Sequence, residues 1–174
     1  MPLYQNIPTL PRAYYSVHIA WTSVEDTLKR YDERNISGFL GLDLNPDFQR
    51  DFVWTEEQET KYIEYTLMGG EIGKNIYFNH PNWQGNYKGV MELIDGKQRL
   101  NAVHKYLNNE IKAFGYYHKE YEDKLRITNT NFIFNVTTLK TRREILQLYL
   151  NINGGIAHSD EELLRVKRML KNES

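Results

Sequence analysis

The sequence predicts an α+β domain: a small mixed sheet with helices packed around it and a helical pair at the C-terminus. Three observations predict it. Short apolar runs alternate with helix-period patterns along the chain. Four capping boxes mark helix starts, at Thr22–Glu25, Thr55–Gln58, Thr141–Glu144 and Ser159–Glu162. No repeat, low-complexity tract or Pro/Gly/Ser linker divides the 174 residues, so one domain over 1–174 is expected.

The elements follow in order. Tyr14–Ala20 reads as a strand, and the first box opens a helix to about Tyr31. Ile36–Leu44 is apolar and bounded by Asn45-Pro46, as a strand or extended lead-in would be. The second box opens a helix with Tyr62, Ile63 and Leu67 at helical spacing, stopped by Gly69-Gly70. Ile76–Phe78 is a short strand, Asn79–Asn86 a loop and Tyr87–Ile94 a further strand. Gly96 marks a sharp turn into a helix whose buried stripe is Leu100, Val103 and Leu107. Ile111–Tyr117 and Phe132–Val136 read as strands. The third box opens a helix holding Ile145, Leu148 and Tyr149; the fourth opens one holding Leu163, Val166 and Leu170.

Composition excludes several functions. With 22 basic and 23 acidic residues the net charge is −1, so the chain is no bulk polyanion binder. The local basic clusters, Lys140, Arg142 and Arg143, then Arg165, Lys167, Arg168 and Lys171, read as solvated helix faces. Without cysteine there is no disulfide, thiolate metal site or catalytic thiol. No apolar run suits a membrane span and the start has no signal-peptide pattern, so a cytoplasmic protein with no membrane partner is expected. No two of the five histidines have metal-ligand spacing, and no Walker loop or GxSxG elbow occurs.

Three segments carry the chemistry. In Asp95-Gly96-Lys97-Gln98-Arg99 a strand turns into a helix. A helix start offers unbonded N–H groups and the positive end of the dipole, which suit phosphate. Gly96 lets a ligand approach the backbone; Lys97 and Arg99 add cationic donors and Gln98 a neutral one. Asp95 could ligate Mg²⁺, orient a water or cap the helix. The residues alone leave a second reading open, an Asp-Gly turn with a solvated Lys/Arg face. The segment from Pro46 to Trp54 places Gln49 and Arg50 among aromatic residues. Either it brings another arginine to an anionic site, or Phe48, Phe52 and Trp54 pack on the core while Arg50 pairs with Asp47 or Asp51. In Leu150–Ser159 the Asn-Gly-Gly run is a C-cap and turn, or Asn153 lines the pocket.

Taken together and in this order, the segments resemble the N-terminal domain of GmrSD-type, modification-dependent restriction systems. Pro46–Trp54 is similar to that family's P-x-F-Q-R-x-Y-V-W, and Asp95–Leu100 to its D-G-Q-Q-R-L. Leu67–Gly73 matches its glycine-ended helix, and Asn151–Leu163 its N-x-x-G-x-x-L-S-x-x-E-L element. The likeness spans about Thr22 to Leu170. It implies a ParB/sulfiredoxin-like fold that binds a nucleoside triphosphate (ATP, GTP or CTP alike), with hydrolysis in some relatives and with Mg²⁺. Carried over, Gln49, Arg50, Gly96, Gln98 and Arg99 hold the nucleotide with Lys97 and Asn153, while Asp95 and Arg99 are the catalytic pair and Asp95 the metal ligand.

Lys97 stands where the family has glutamine, which is expected to alter nucleotide preference. The His-Asn-His nuclease half is absent from this sequence, so a stand-alone copy, suited to a bacteriophage or mobile defence locus, is expected. Sulfiredoxin chemistry is excluded by the lack of cysteine. The expected partners are a nucleotide and DNA or a DNA-processing protein. The expected role is NTP hydrolysis in restriction, anti-restriction or DNA modification. Phosphotransfer to a hydroxyl, such as that of a modified base, is the second reading and a non-catalytic nucleotide sensor the third. A nuclease ranks last, since few carboxylates accompany Asp95 and Glu92.

Overall fold

The computed structural model describes residues 3–7, 9–32, 39–83, 85–123, 125–153 and 160–173. Residues 36–38 of the expected second strand, and residues 154–159 with the Asn-Gly-Gly turn and the Ser159 cap, lie outside them. The strands are β1 (Tyr15–Ala20), β2 (Phe39–Asp43), β3 (Asn75–Asn79), β4 (Gly89–Asp95) and β5 (Asn131–Thr137). The helices are α1 (Val24–Asp32), α2 (Glu56–Leu67), α3 (Lys97–Leu107), α4 (Leu125–Asn129), α5 (Arg142–Asn153) and α6 (Asp160–Asn172). The sheet order is β1-β5-β3-β4-β2. β1 runs antiparallel to β5, β5 parallel to β3, β3 antiparallel to β4 and β4 parallel to β2. The α+β class, the mixed sheet and the C-terminal helical pair are as the sequence predicts.

The two-residue period of the strands divides the interior. Ile76 and Phe78, Met91 and Leu93, and Phe132, Phe134 and Val136 form one buried face with Ile63 and Leu67 of α2 and Val103 and Tyr106 of α3. On the other face Ile94 packs with Phe48, Ile145, Leu146, Leu148, Tyr149 and Val166, which docks α5 and α6. Fully burying one such aliphatic side chain is worth about 1.5–3 kcal/mol, against about 1 kcal/mol net for a hydrogen bond. Apolar packing therefore docks the helical pair, and hydrogen bonds set the position of the loops beside it.

Two of the capping boxes form as read. Thr55 accepts from Gln58 N–H at 3.3 Å and its own N–H is met by Gln58 Oε1 at 2.9 Å. Thr141 and Glu144 repeat the exchange at 3.2 and 3.0 Å. The expected start at Thr22 is replaced by a 3-10 turn over Trp21–Ser23 that runs straight into α1, anchored by the fully buried Trp21. Residues 111–117 are not a strand. Ile111 and Ala113 are buried, which produces the apolar alternation, but Phe114 and Gly115 have φ of 51° and 83°. The chain turns back at once, leaving a single bridge between Ala113 and Tyr116. Tyr87, with φ of 53°, falls outside β4 for the same reason. The five-residue α4 has no counterpart in the sequence reading. Among the described residues no helix is long and apolar enough to cross a membrane.

Candidate functional site

β4 ends at Asp95, and Gly96 turns the chain into α3. Its φ is 115°, and a Cβ there would lie 2.4 Å from Ile76 Cδ1, so both backbone and packing require glycine. The first bond inside the helix runs from Leu100 N–H to Gly96 O at 2.9 Å. The N–H groups of Lys97, Gln98 and Arg99 precede it and have no acceptor within the helix.

Two side chains of this turn, Lys97 and Gln98, meet the backbone of residues 50–54. Gln98, 7% exposed, accepts from Val53 and Trp54 N–H at 3.1 and 3.2 Å and donates to Asp51 O at 2.9 Å. Lys97, 8% exposed, donates to Arg50 O at 2.8 Å, its ammonium 4.7 Å from the centre of the Phe52 ring. From the back, Arg165 of α6 donates to Phe48 O at 3.3 Å and Gln49 O at 2.9 Å. Gln49 in turn donates to Leu93 O and Ile94 O at 3.0 and 2.7 Å. Residues 48–54 are neither helix nor strand, yet side chains from α3 and α6 hold their backbone carbonyls and amides, and the loop's own Gln49 side chain is tied to carbonyls of β4. The loop that carries Arg50 is thereby fixed.

Arg99 donates to Gly73 O and Asn75 O at 2.9 Å each and to Asp95 Oδ2. Three of its five N–H donors are thus committed, and two remain. The Asp95 oxygen Oδ1 takes no hydrogen bond among the described residues. Asp47 pairs with Arg142, whose guanidinium also lies 4.8 Å from the Phe48 ring centre. Arg142 is 3.6 Å from Glu92, whose acidity burial weakens first and the Asp43 carboxylate second, raising its pKa.

α2 forms the opposite wall. Gln58, Tyr62 and Tyr65 fall at i, i+4 and i+7, one face of the helix. Tyr62 donates to Gly73 O at 3.0 Å and lies 5.5 Å from the Trp54 ring; burial pushes its phenol up to about 12. Tyr65 lies on Gly70, where a Cβ would come within 2.3 Å of the ring, and its hydroxyl accepts from Ile72 N–H at 3.2 Å. Between the walls is a cleft of about 670 Å³. All eight residues singled out in the sequence line it: Gln49, Arg50, Asp95, Gly96, Lys97, Gln98, Arg99 and Asn153.

Several of them are tied to the scaffold. The side chains of Gln49, Lys97 and Gln98 brace the wall, each meeting backbone groups. Asn153, 2% exposed, donates to Tyr149 O at 2.8 Å and closes the last turn of α5. Arg165, read as part of a solvated face, is an anchor of the site. Tyr65 has no place in the sequence reading and Gln58 enters it only as a cap residue, although their i, i+7 spacing on a capped helix next to Arg50 is legible in the sequence. Among the described residues no group of three or more His, Asp or Glu could hold a metal ion.

The molecule is thus an α+β domain whose strand-to-helix glycine turn opens into a cleft with a pinned arginine loop on its edge. The chain matches the family model of the GmrSD restriction endonuclease, N-terminal domain, over residues 24–172, and it belongs to that family, which links it to restriction. Searches of curated proteins and of solved structures returned no match.

Proposed function

We propose that the cleft binds a nucleoside triphosphate by its phosphates and that the domain hydrolyses it in the service of a DNA-centred process such as restriction. The observation that supports this most is convergence. One end of the cleft combines the α3 N-terminus behind Gly96 with two cationic side chains, Arg50 on its pinned loop and Arg99 with donors to spare. Backbone N–H groups with the helix dipole hold anionic oxygen, and arginine adds charge-assisted bonds. Catalysis would be positioning and charge stabilisation more than covalent chemistry. Arg99 receives phosphate oxygen while holding Asp95 in place, and Asp95 Oδ1 accepts from the attacking water. That single carboxylate fits a magnesium ion held mainly by phosphate and water oxygens, and does not amount to a cage of its own. The ion would supply charge neutralisation.

The test is thermal denaturation with each NTP and Mg²⁺, followed by phosphate release. We expect saturating NTP to raise the melting temperature and Arg50→Ala to abolish that rise, the apo midpoint of the variant being measured alongside so that lost binding is told apart from lost stability. No rise with any nucleotide at saturation refutes the reading. Release of phosphate by the domain alone marks a hydrolase. Label transferred to hydroxylated DNA marks a phosphotransferase instead, and a rise without turnover marks a sensor.

A further inference from the structure

The α2 wall has no part in holding phosphate, and its chemistry differs from that of the α3 turn. Tyr65 is 36% exposed but not loose. One side of its ring rests on Gly70, and its hydroxyl is engaged by Ile72 N–H. A rigid aromatic ring with an open face on a cleft is a stacking platform, and every nucleobase has a π-face to match it.

Gln58 lies two turns earlier on the same face. Its oxygen meets Thr55 N–H in the capping box at 2.9 Å. A backbone N–H can be met only by the oxygen of an amide, so the orientation of this side chain is set by its partner. The NH₂ group is what Gln58 offers to the cleft. An amide normally pairs with adenine through both its oxygen and its nitrogen; here the oxygen is held elsewhere. An NH₂ donor suits a keto oxygen, O6 of guanine or O4 of uracil, and opposes the amino group that adenine and cytosine carry at the same place.

Resting on the nucleotide reading above, we infer that Tyr65 and Gln58 form the base subsite of the cleft and that it selects keto bases over amino bases. Tyr65 supplies affinity without regard to sequence; Gln58 supplies the choice.

The experiment is calorimetric titration of the full chain with GTP, UTP, ATP, CTP and inorganic triphosphate. GTP and UTP are expected to bind about tenfold more tightly than ATP and CTP, the size of one well-made hydrogen bond against one mismatched pair. Gln58→Glu keeps an oxygen for Thr55 N–H, so the helix cap and the melting temperature should be retained, while the second oxygen turns the reading group into an acceptor. The order should then reverse, ATP and CTP binding more tightly. Any repulsion of the triphosphate is common to all four nucleotides, so the order is the readout. Tyr65→Leu should weaken all four by about tenfold and leave inorganic triphosphate unchanged. If the four NTPs bind equally, or if amino bases bind more tightly in the unmodified chain, or if Gln58→Glu keeps the order, the base subsite is refuted while the phosphate site stands. If neither NTP nor triphosphate binds, the nucleotide reading falls and this inference with it.

Discussion

The two walls of the cleft are built on opposite principles. On the α3 side the side chains of Lys97 and Gln98 are turned to the scaffold, and the backbone N–H groups are left for a ligand. On the α2 side the backbone is closed within the helix, and the side chains of Gln58 and Tyr65 are left for a ligand. Backbone donors do not vary with sequence, whereas side chains do. Under the nucleotide reading proposed above, a site made this way keeps its grip on phosphate constant and leaves its choice of base open to change by single substitutions. The comparison also explains Lys97. It stands where the family pattern has glutamine, yet it holds Arg50 O from a nearly buried position, a task that a glutamine amide can also perform.

The largest effect that would break the comparison is on the α3 side. Gln98→Ala removes three hydrogen bonds from residues 51–54. Asp51 and Val53 are exposed, so water replaces part of what is lost and the expected cost is about 2 kcal/mol rather than the sum of three fully buried losses. Urea denaturation measures it, and limited proteolysis should cut within 51–54. Resistance there would mean that the loop is held by packing alone. A smaller effect comes from Lys97→Gln, for which less than about 1 kcal/mol and an unchanged order of nucleotide affinities are expected. A changed order would place Lys97 on the ligand.

The smallest effect sharpens the α2 side. The phenol of Tyr62 is pushed up to about 12 by burial, as are those of Tyr31 and Tyr106. In the unfolded chain these groups ionise near 10, so between pH 10 and about 12 the unfolded state binds fewer protons than the folded one. Stability is full below pH 10 and declines as the pH rises through that window. Ultraviolet titration should find a late-ionising group of tyrosines that shrinks by one in Tyr62→Phe. If the late group is unchanged in Tyr62→Phe, the Tyr62 phenol is open to the cleft instead of buried.

The helix starts at Thr55 and Thr141 were legible because a capping box is complete within four residues. The sheet order was not, since it depends on pairings such as Tyr15 with Val136 that no window spans. Residues 111–117 misled because burial produces alternation whether or not a strand follows. In the site, the set of residues was legible and their tasks were not. Gln98 meets backbone groups 44 to 47 positions away, and Arg165 meets Phe48 and Gln49 from 117 and 116 positions away. The identity of a glutamine or arginine shows that it has donors; only the fold decides whether they meet a carbonyl or a ligand.

The anchor at Arg165 has a consequence for the order of assembly. Local contacts form early and distant ones late, because closing a long loop costs entropy before any contact rewards it. α2 and α3 are near neighbours in the chain and can form while it is still being synthesised. The carbonyls of Phe48 and Gln49 wait for Arg165 of α6, 117 and 116 positions downstream. A nascent chain therefore carries the glycine turn and the Tyr65 ring before it carries a fixed Arg50 loop, and the cleft takes its full shape only after α6 has docked.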